Sequence, residues 1–241
     1  MSGRDRHEAQ PMTLWYRALH PIARWGVNRV VRVQVEGAEH IPPFGPAILV
    51  PNHQSFLDPI VVQANCPRAV DSMTKSTQFQ KAFFRWIIPR LHAFPVRRYR
   101  VDPQAVRVLL RRLEAGRIVC VYPEGERSWD GTLQPFRRGT LRVLLRAGVP
   151  IIPVGIDGSF DVLPRWGKRV RRDRTVHIRF GRPLLLGEHR DREKRESAVP
   201  ELDRRLRKEL LVLSGQVDLA HEAEEAEEQI SRRGGGGARS T

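Results

Sequence analysis

A histidine and an aspartate stand five positions apart in Val50-Pro51-Asn52-His53-Gln54-Ser55-Phe56-Leu57-Asp58-Pro59, directly after the apolar run Ala47-Ile48-Leu49-Val50. The run reads as a short buried strand that Pro51-Asn52 breaks, so His53 is presented at a strand's carboxyl edge, where open α/β sheets place their chemistry. An imidazole with a carboxylate on one nitrogen can take a proton with the other, which makes a nucleophile of a neutral hydroxyl. Asp58 would then fix the tautomer and stabilise the imidazolium. A separation of five is not a face-sharing helical spacing, so a turn must lie between the two residues. The plainer reading of Asp58 is a helix N-cap.

A second polar group gathers at the end of another apolar strand signal, Arg117–Tyr122, in Val121-Tyr122-Pro123-Glu124-Gly125-Glu126-Arg127-Ser128. Pro123 and Gly125 force a sharp turn, Glu124 and Glu126 bring carboxylates, and Arg127 brings a planar donor fork suited to phosphate or carboxylate. Taken alone, the stretch also reads as a surface turn with a local Glu–Arg ion pair. A third strand signal, Ala93-Phe94-Pro95-Val96, runs into Arg97-Arg98, which places Arg98 to meet a phosphate. The fourth segment is Phe136-Arg137-Arg138-Gly139 followed by Val149-Pro150-Ile151-Ile152-Pro153-Val154. Its two prolines predict an edge or site-lining strand rather than a central one.

Singly these segments are ordinary, but their order, His-Asp, Arg, Glu-Gly-x-Arg, Pro-x-x-Pro, resembles the four motifs of the glycerolipid acyltransferase family. The best-known members are the 1-acylglycerol-3-phosphate O-acyltransferases, and the resemblance covers about residues 31–190. It implies that His53 is the base and Asp58 its partner. Arg98 closes the second motif, which opens at His92, and would belong to the acceptor's phosphate site. Glu124 and Arg127 of the third motif would help hold a glycerol phosphate. Pro153, in the fourth, supports the acyl-donor end, and Asn52, Lys75 and Gly125 complete the expected substrate-binding set. Two residues depart from the family's usual pattern: His92 stands where glycine is common and Glu126 where threonine is common. The added negative charge bears on the acceptor headgroup more than on the reaction.

The implied reaction moves a fatty acyl group from acyl-CoA or acyl-carrier protein to the free hydroxyl of a lysophospholipid. With 1-acylglycerol 3-phosphate as first choice of acceptor, the product is phosphatidic acid. The thioester is a co-substrate, and neither a metal nor a further cofactor is expected. Glycerol 3-phosphate or another lysolipid is the alternative acceptor. A thioester hydrolase with Ser55 as nucleophile lacks the Gly-x-Ser-x-Gly elbow. A basic nucleic-acid-binding module would account for charge and interleaved aromatics, yet it leaves the ordered motifs unexplained, and none of the recognisable nucleic-acid motifs is found.

The elements that must position these residues alternate. Strand signals fall at Val31–Glu36, Ala47–Val50, Ala93–Val96, Arg117–Tyr122, Ile151–Ile156 and Val176–Phe180, and helical periodicity at Pro59–Asn65, Pro103–Glu114 and Gly139–Ala147. From about residue 197 a helix carries Leu202, Leu206, Leu210 and Leu213 on one face. The expectation is a single α/β domain over 31–214, a mixed sheet flanked by helices. An amphipathic segment over 1–30 precedes it, with Trp15, Trp25 and arginines that suit either a membrane interface or the domain core, and Pro21 to kink or restart it. The charged, Gly-rich 215–241 reads as a disordered tail.

Composition narrows the partners. In 241 residues, 42 Lys+Arg against 27 Asp+Glu give a formal net charge of +15, which calls for an anionic partner such as an acidic membrane surface. Cys66 and Cys120 have no metal-ligand spacing and read as reduced and structural. No stretch approaches the roughly 20 apolar residues that span a bilayer, and residues 1–12 are too polar for a signal peptide. A peripheral protein on the cytoplasmic face of the membrane is expected. Its docking elements would be the aromatic segment Phe79–Ile88 and the basic run Arg165–Arg174.

Overall fold

The computed structural model describes residues 14–75, 93–96, 102–187 and 191–216. Helix α1 (Leu14–Val30) leads to β1 (Arg32–Glu36) and β2 (Ala47–Pro51), then α2 (Asp58–Asn65), β3 (Val70–Lys75) and β4 (Ala93–Val96). There follow α3 (Pro103–Glu114), β5 (Ile118–Cys120), α4 (Arg138–Ala147), β6 (Ile151–Asp157), the single turn α5 (Ser159–Val162), β7 (Thr175–Phe180) and α6 (Arg192–Leu213). The strands form one sheet of seven in the order β1-β7-β6-β2-β5-β3-β4. Every pairing is parallel except β6 with β7, so the sheet is mixed, as expected.

Burial follows from that layering. Strands β2 and β5 are buried at every residue, as parallel strands covered on both faces must be, whereas β1 at the sheet edge alternates. Ile48, Val50, Val119 and Ile151 face a core built with Leu109, Leu113, Leu141, Leu144, Leu202, Leu206 and Leu210 of α3, α4 and α6. Their neighbours Leu49, Ile118, Ile152 and Val154 face the opposite core with Val61 and Val62 of α2. Helix α6 lies so close on β6 that a Cβ at Gly155 would meet the Leu213 main chain at 2.1 Å.

Four features differ from expectation. Strand β6 is central rather than at an edge, with β7 and β2 on its two sides. The Ile151 N–H donates to Leu184 O, so strand alternation turns residue 153 toward the same side. There Gly181, one residue past the end of β7 at Phe180, still donates its N–H to Pro153 O at 2.8 Å, so the proline costs β6 only the reciprocal bond at the end of that pairing. Strand β3 gave no sequence signal because its second residue is a buried aspartate, Asp71. Helix α1 continues through Pro21 without a restart, and α6 begins at Arg192, where Asp191 accepts from the Lys194 N–H at 2.9 Å.

The free thiols of Cys66 and Cys120 are buried, and burial pushes the Cys66 thiol up to about 11. Among the described residues no helix is long and apolar enough to cross a membrane. The tail beyond residue 216 and the segment Phe79–Ile88 lie outside the described residues.

Candidate active site

The carboxyl ends of β2, β5 and β6 lie side by side in the sheet and carry the polar clusters. As the chain leaves β2, the Asn52 amide takes over the ladder. Its Nδ2 donates to Ile156 O at 2.8 Å and its Oδ1 accepts from Ile156 N at 2.7 Å. The next residue therefore starts from a fixed point while the backbone turns away.

His53 is buried, with Nδ1 2.8 Å from Asp58 Oδ2. That same oxygen accepts the main-chain N–H groups of Gln54 at 2.6 Å and Ser55 at 2.7 Å. Asp58 opens α2, but its carboxylate reaches back to residues 54 and 55, so it closes the turn instead of capping the helix. A carboxylate held by two N–H groups has a fixed direction, and the imidazole on it takes a fixed ring orientation. Tyr122 packs on the ring at a centroid separation of 4.1 Å. Gln54 ties the turn outward, its Nε2 donating to Gly131 O at 2.7 Å and its Oε1 accepting from Ser159 Oγ at 3.3 Å. Ser55 is fully buried, its hydroxyl donating to Leu163 O at 2.7 Å, which leaves it no part as a nucleophile.

The turn after β5 braces this one from behind. Glu124 Oε1 accepts the His53 N–H at 2.6 Å and Oε2 accepts the Gln134 N–H at 2.9 Å, so the carboxylate faces main chain rather than open space. Burial pushes its carboxyl up to about 8, and the two main-chain donors only partly oppose that shift. Ser128 N donates to His53 O at 2.7 Å, a second tie between the two turns. Gly125 has φ 74°, which favours glycine, and a Cβ there would meet Arg137 Nε at 2.1 Å, so the arginine side chain would have to shift. Arg137 fills that space and donates to Glu124 O at 3.1 Å.

The charge of Glu126, the departure from the family's threonine, is met by two arginines: Arg165 Nη2 at 3.2 Å and Arg137 Nη2 at 3.4 Å. Arg165 also donates to Arg127 O at 2.6 Å and lies 3.7 Å above the Trp129 ring. Arg127 Nη1 in turn donates to Arg165 O at 3.4 Å.

Thus His53, Asp58, Asn52, Glu124, Gly125 and Arg127 converge on adjacent strand ends. Pro153 lies in β6, opposite Val50 of β2. Arg98 and the Lys75 side chain lie outside the described residues. Sequence reasoning missed Gln134, and it placed Arg165 only in the basic docking run, not beside Glu126. Arg165 could have been sought as the counter-charge that Glu126 needs, whereas Gln134 acts through its main chain and gives no residue-type signal.

Comparison with known proteins bears on the family and the fold. The mouse 1-acyl-sn-glycerol-3-phosphate acyltransferase alpha is 31% identical over 159 residues, which are 64% of this chain and 55% of that enzyme. The chloroplastic 1-acyl-sn-glycerol-3-phosphate acyltransferase of Arabidopsis thaliana is 28% identical over 158 residues, and the match spans less than half, 44%, of its length. The Bacillus subtilis 1-acyl-sn-glycerol-3-phosphate acyltransferase is 25% identical over 153 residues, 63% of this chain and 73% of that one. The fold is that of the crystal structure of the Thermotoga maritima 1-acyl-sn-glycerophosphate acyltransferase, with a TM-score of 0.61 at 24% identity over 80% of this chain and 79% of that one. A family model described as acyltransferase matches residues 32–157, more than half of the sequence, and the chain belongs to the acyltransferase family.

Proposed function

We propose that this chain transfers a fatty acyl group from an acyl thioester, acyl-CoA or acyl-carrier protein, to the free hydroxyl of 1-acylglycerol 3-phosphate, giving phosphatidic acid. The observation that carries the reading is Asp58 Oδ2, which orients His53 through Nδ1 at 2.8 Å while anchored by two main-chain donors. His53 Nε2 takes the hydroxyl proton as the oxygen attacks the thioester carbonyl carbon. The tetrahedral intermediate collapses, the carbon–sulfur bond breaks, and the thiolate leaves with the proton that the imidazolium returns. Asp58 stabilises the imidazolium between the two transfers. Arg127 and Arg98 meet the acceptor phosphate, where a guanidinium fork matches the oxyanion geometry. Glu124 acts through the main chain, by holding the His53 N–H, while Asn52 fixes the turn, and Lys75 and Pro153 are assigned to substrate binding. The chain works as a peripheral protein at the cytoplasmic face of an anionic membrane, which its net charge of +15 favours.

The test is acyl transfer by the purified full chain. Radiolabelled acyl-CoA and acyl-carrier protein are offered against 1-acylglycerol 3-phosphate, glycerol 3-phosphate and other lysophospholipids. Phosphatidic acid is the expected dominant product. Absence of transfer to every acceptor, or transfer undiminished in a folded His53→Ala variant, would sink the reading.

A further inference from the structure

Trp129 and Trp166 are 53% and 56% exposed, yet their rings pack together at a tilt of 37° with centroids 5.0 Å apart. A single exposed apolar residue is ordinary, but two of the largest rings held together in water keep a costly surface wet. The pair is fixed in place. Arg165 lies over Trp129 and is anchored by Glu126 and Arg127 O, while the Gly167 N–H closes a turn onto Pro164 O at 2.9 Å. Trp129 follows Ser128, whose N–H holds His53 O, so the platform stands one residue from the catalytic turn. Phe56, within that turn, is also half exposed.

Beyond Trp166 the chain carries Lys168, Arg169, Arg171, Arg172 and Arg174, all exposed, with Asp173 as the single acid, 3.6 Å from Arg174 Nε. Indole rings favour the boundary between headgroups and acyl chains, where the ring is desolvated and its N–H stays wet. Exposed lysines and arginines beside such rings match a layer of negative charge.

We propose that the Trp129–Trp166 pair and the basic loop Lys168–Arg174 form the face that docks on an anionic phospholipid bilayer, with the His53 turn opening toward the headgroups. This deepens the function proposed above and rests on it: the acceptor is itself a lipid, and a site that opens beside the docking face takes it from the surface without a transit through water. The rings supply contact with the interface, and the loop selects its charge. Helix α1, whose Ile22 and Trp25 are also exposed, is the competing face.

The experiment uses the full chain and sedimentation with vesicles of phosphatidylcholine, with and without phosphatidylglycerol. Trp129→Ser with Trp166→Ser should weaken binding to both vesicles by about tenfold or more, since the inserted area is lost. The quadruple variant Lys168→Gln, Arg169→Gln, Arg171→Gln, Arg172→Gln should lose the preference for phosphatidylglycerol and most of the salt dependence, with phosphatidylcholine binding unchanged. Both variants should acylate a short-chain lysophosphatidate dispersed as monomers at the wild-type rate and fall behind on the long-chain acceptor in vesicles. The proposal is overturned if both variants bind vesicles as wild type does, if only Trp25→Ser weakens binding, or if duplex DNA displaces the protein from vesicles at equal phosphate concentration. Should the wild type bind vesicles as described but acylate no lysophospholipid, the docking face stands and the proposed function falls.

Discussion

Asp58 and Asp71 are both buried, at 0% and 1% exposure, and both lie at strand ends of one sheet, yet they are compensated in opposite ways. At the carboxyl end, Asp58 Oδ2 receives two main-chain N–H groups and the His53 ring, while Oδ1 takes no hydrogen bond from any described residue. Near the amino end, Asp71 is gripped by full charges. Arg117 brings Nη2 to Oδ1 and Nε to Oδ2, each at 2.6 Å, and Arg112 Nη1 reaches Oδ1 at 2.9 Å. Guanidinium forks neutralise a carboxylate and leave it little to offer a third group. Neutral donors hold the carboxylate's direction while leaving its charge to act on the imidazole. The donor set, and not burial, separates the end of the sheet that carries the proposed base from the end that does not.

The largest effect should come from the neutral-donor end. His53→Ala should lower kcat by about 10²–10⁴-fold, and Asp58→Asn by a similar factor through the wrong tautomer, with near-native circular dichroism in both. Steady-state assays of the two folded variants check this, and near-normal turnover in either removes the dyad. At the charged end the pattern inverts. Asp71→Ala should cost about 3–5 kcal/mol in urea unfolding, because two guanidiniums are left without their carboxylate, while kcat per folded molecule holds. A loss of kcat without a loss of stability would collapse the distinction between the ends.

Arginines sharpen the comparison. Arg127→Lys should raise the acceptor KM more than the donor KM, by about tenfold or more, as one fork-shaped, charge-assisted contact worth about 1.5–3 kcal/mol is degraded. Arg117→Lys should leave both KM values alone and lower the unfolding midpoint. Equal effects of Arg127→Lys on the two substrates would make that arginine structural too.

The smallest effect separates bracing from charge. Glu124→Gln can present only one acceptor oxygen to the two N–H groups of His53 and Gln134, so at acid pH it should cost about 1–3 kcal/mol. The Glu124 carboxyl is raised from the ordinary 4.5 to about 8 in the folded chain, so its contribution is fully present below 4.5 and is lost as pH rises through about 8. The stability gap between wild type and Glu124→Gln should therefore narrow across that window in unfolding curves taken at stepped pH. A gap that widens would reverse the sign assigned to the buried carboxyl.

The sequence was legible where side-chain type and strand periodicity carried the information. Six strands were placed from apolar runs or alternation, and the His53, Asp58 and Glu124 turns from the Pro, Asn and Gly that follow two of them. Strand β3 was not, because the Asp71 charge is cancelled by Arg112 and Arg117, whose distance in sequence hides the pairing. The central position of β6 was misread because Pro153 falls where the pairing with β7 is ending, so it removes a single bond while its carbonyl still accepts from the Gly181 N–H, and where β7 stops is not written in β6. The inward aim of Glu124 was equally hidden, since its partners are main-chain groups that every residue possesses.

The Asn52 amide has a consequence for how the chain matures. Its partner Ile156 lies 104 residues along the chain, and Glu124, which holds the His53 N–H, lies 71 residues along. Long-range contacts form late, after their loop-closure entropy has been met. During synthesis, a nascent chain that has not yet emerged as far as Ile156 carries the His-Asp sequence without the bond that fixes the turn. In refolding, recovery of acyl transfer should lag the recovery of helical signal, so that reactive chemistry begins only once the sheet is closed.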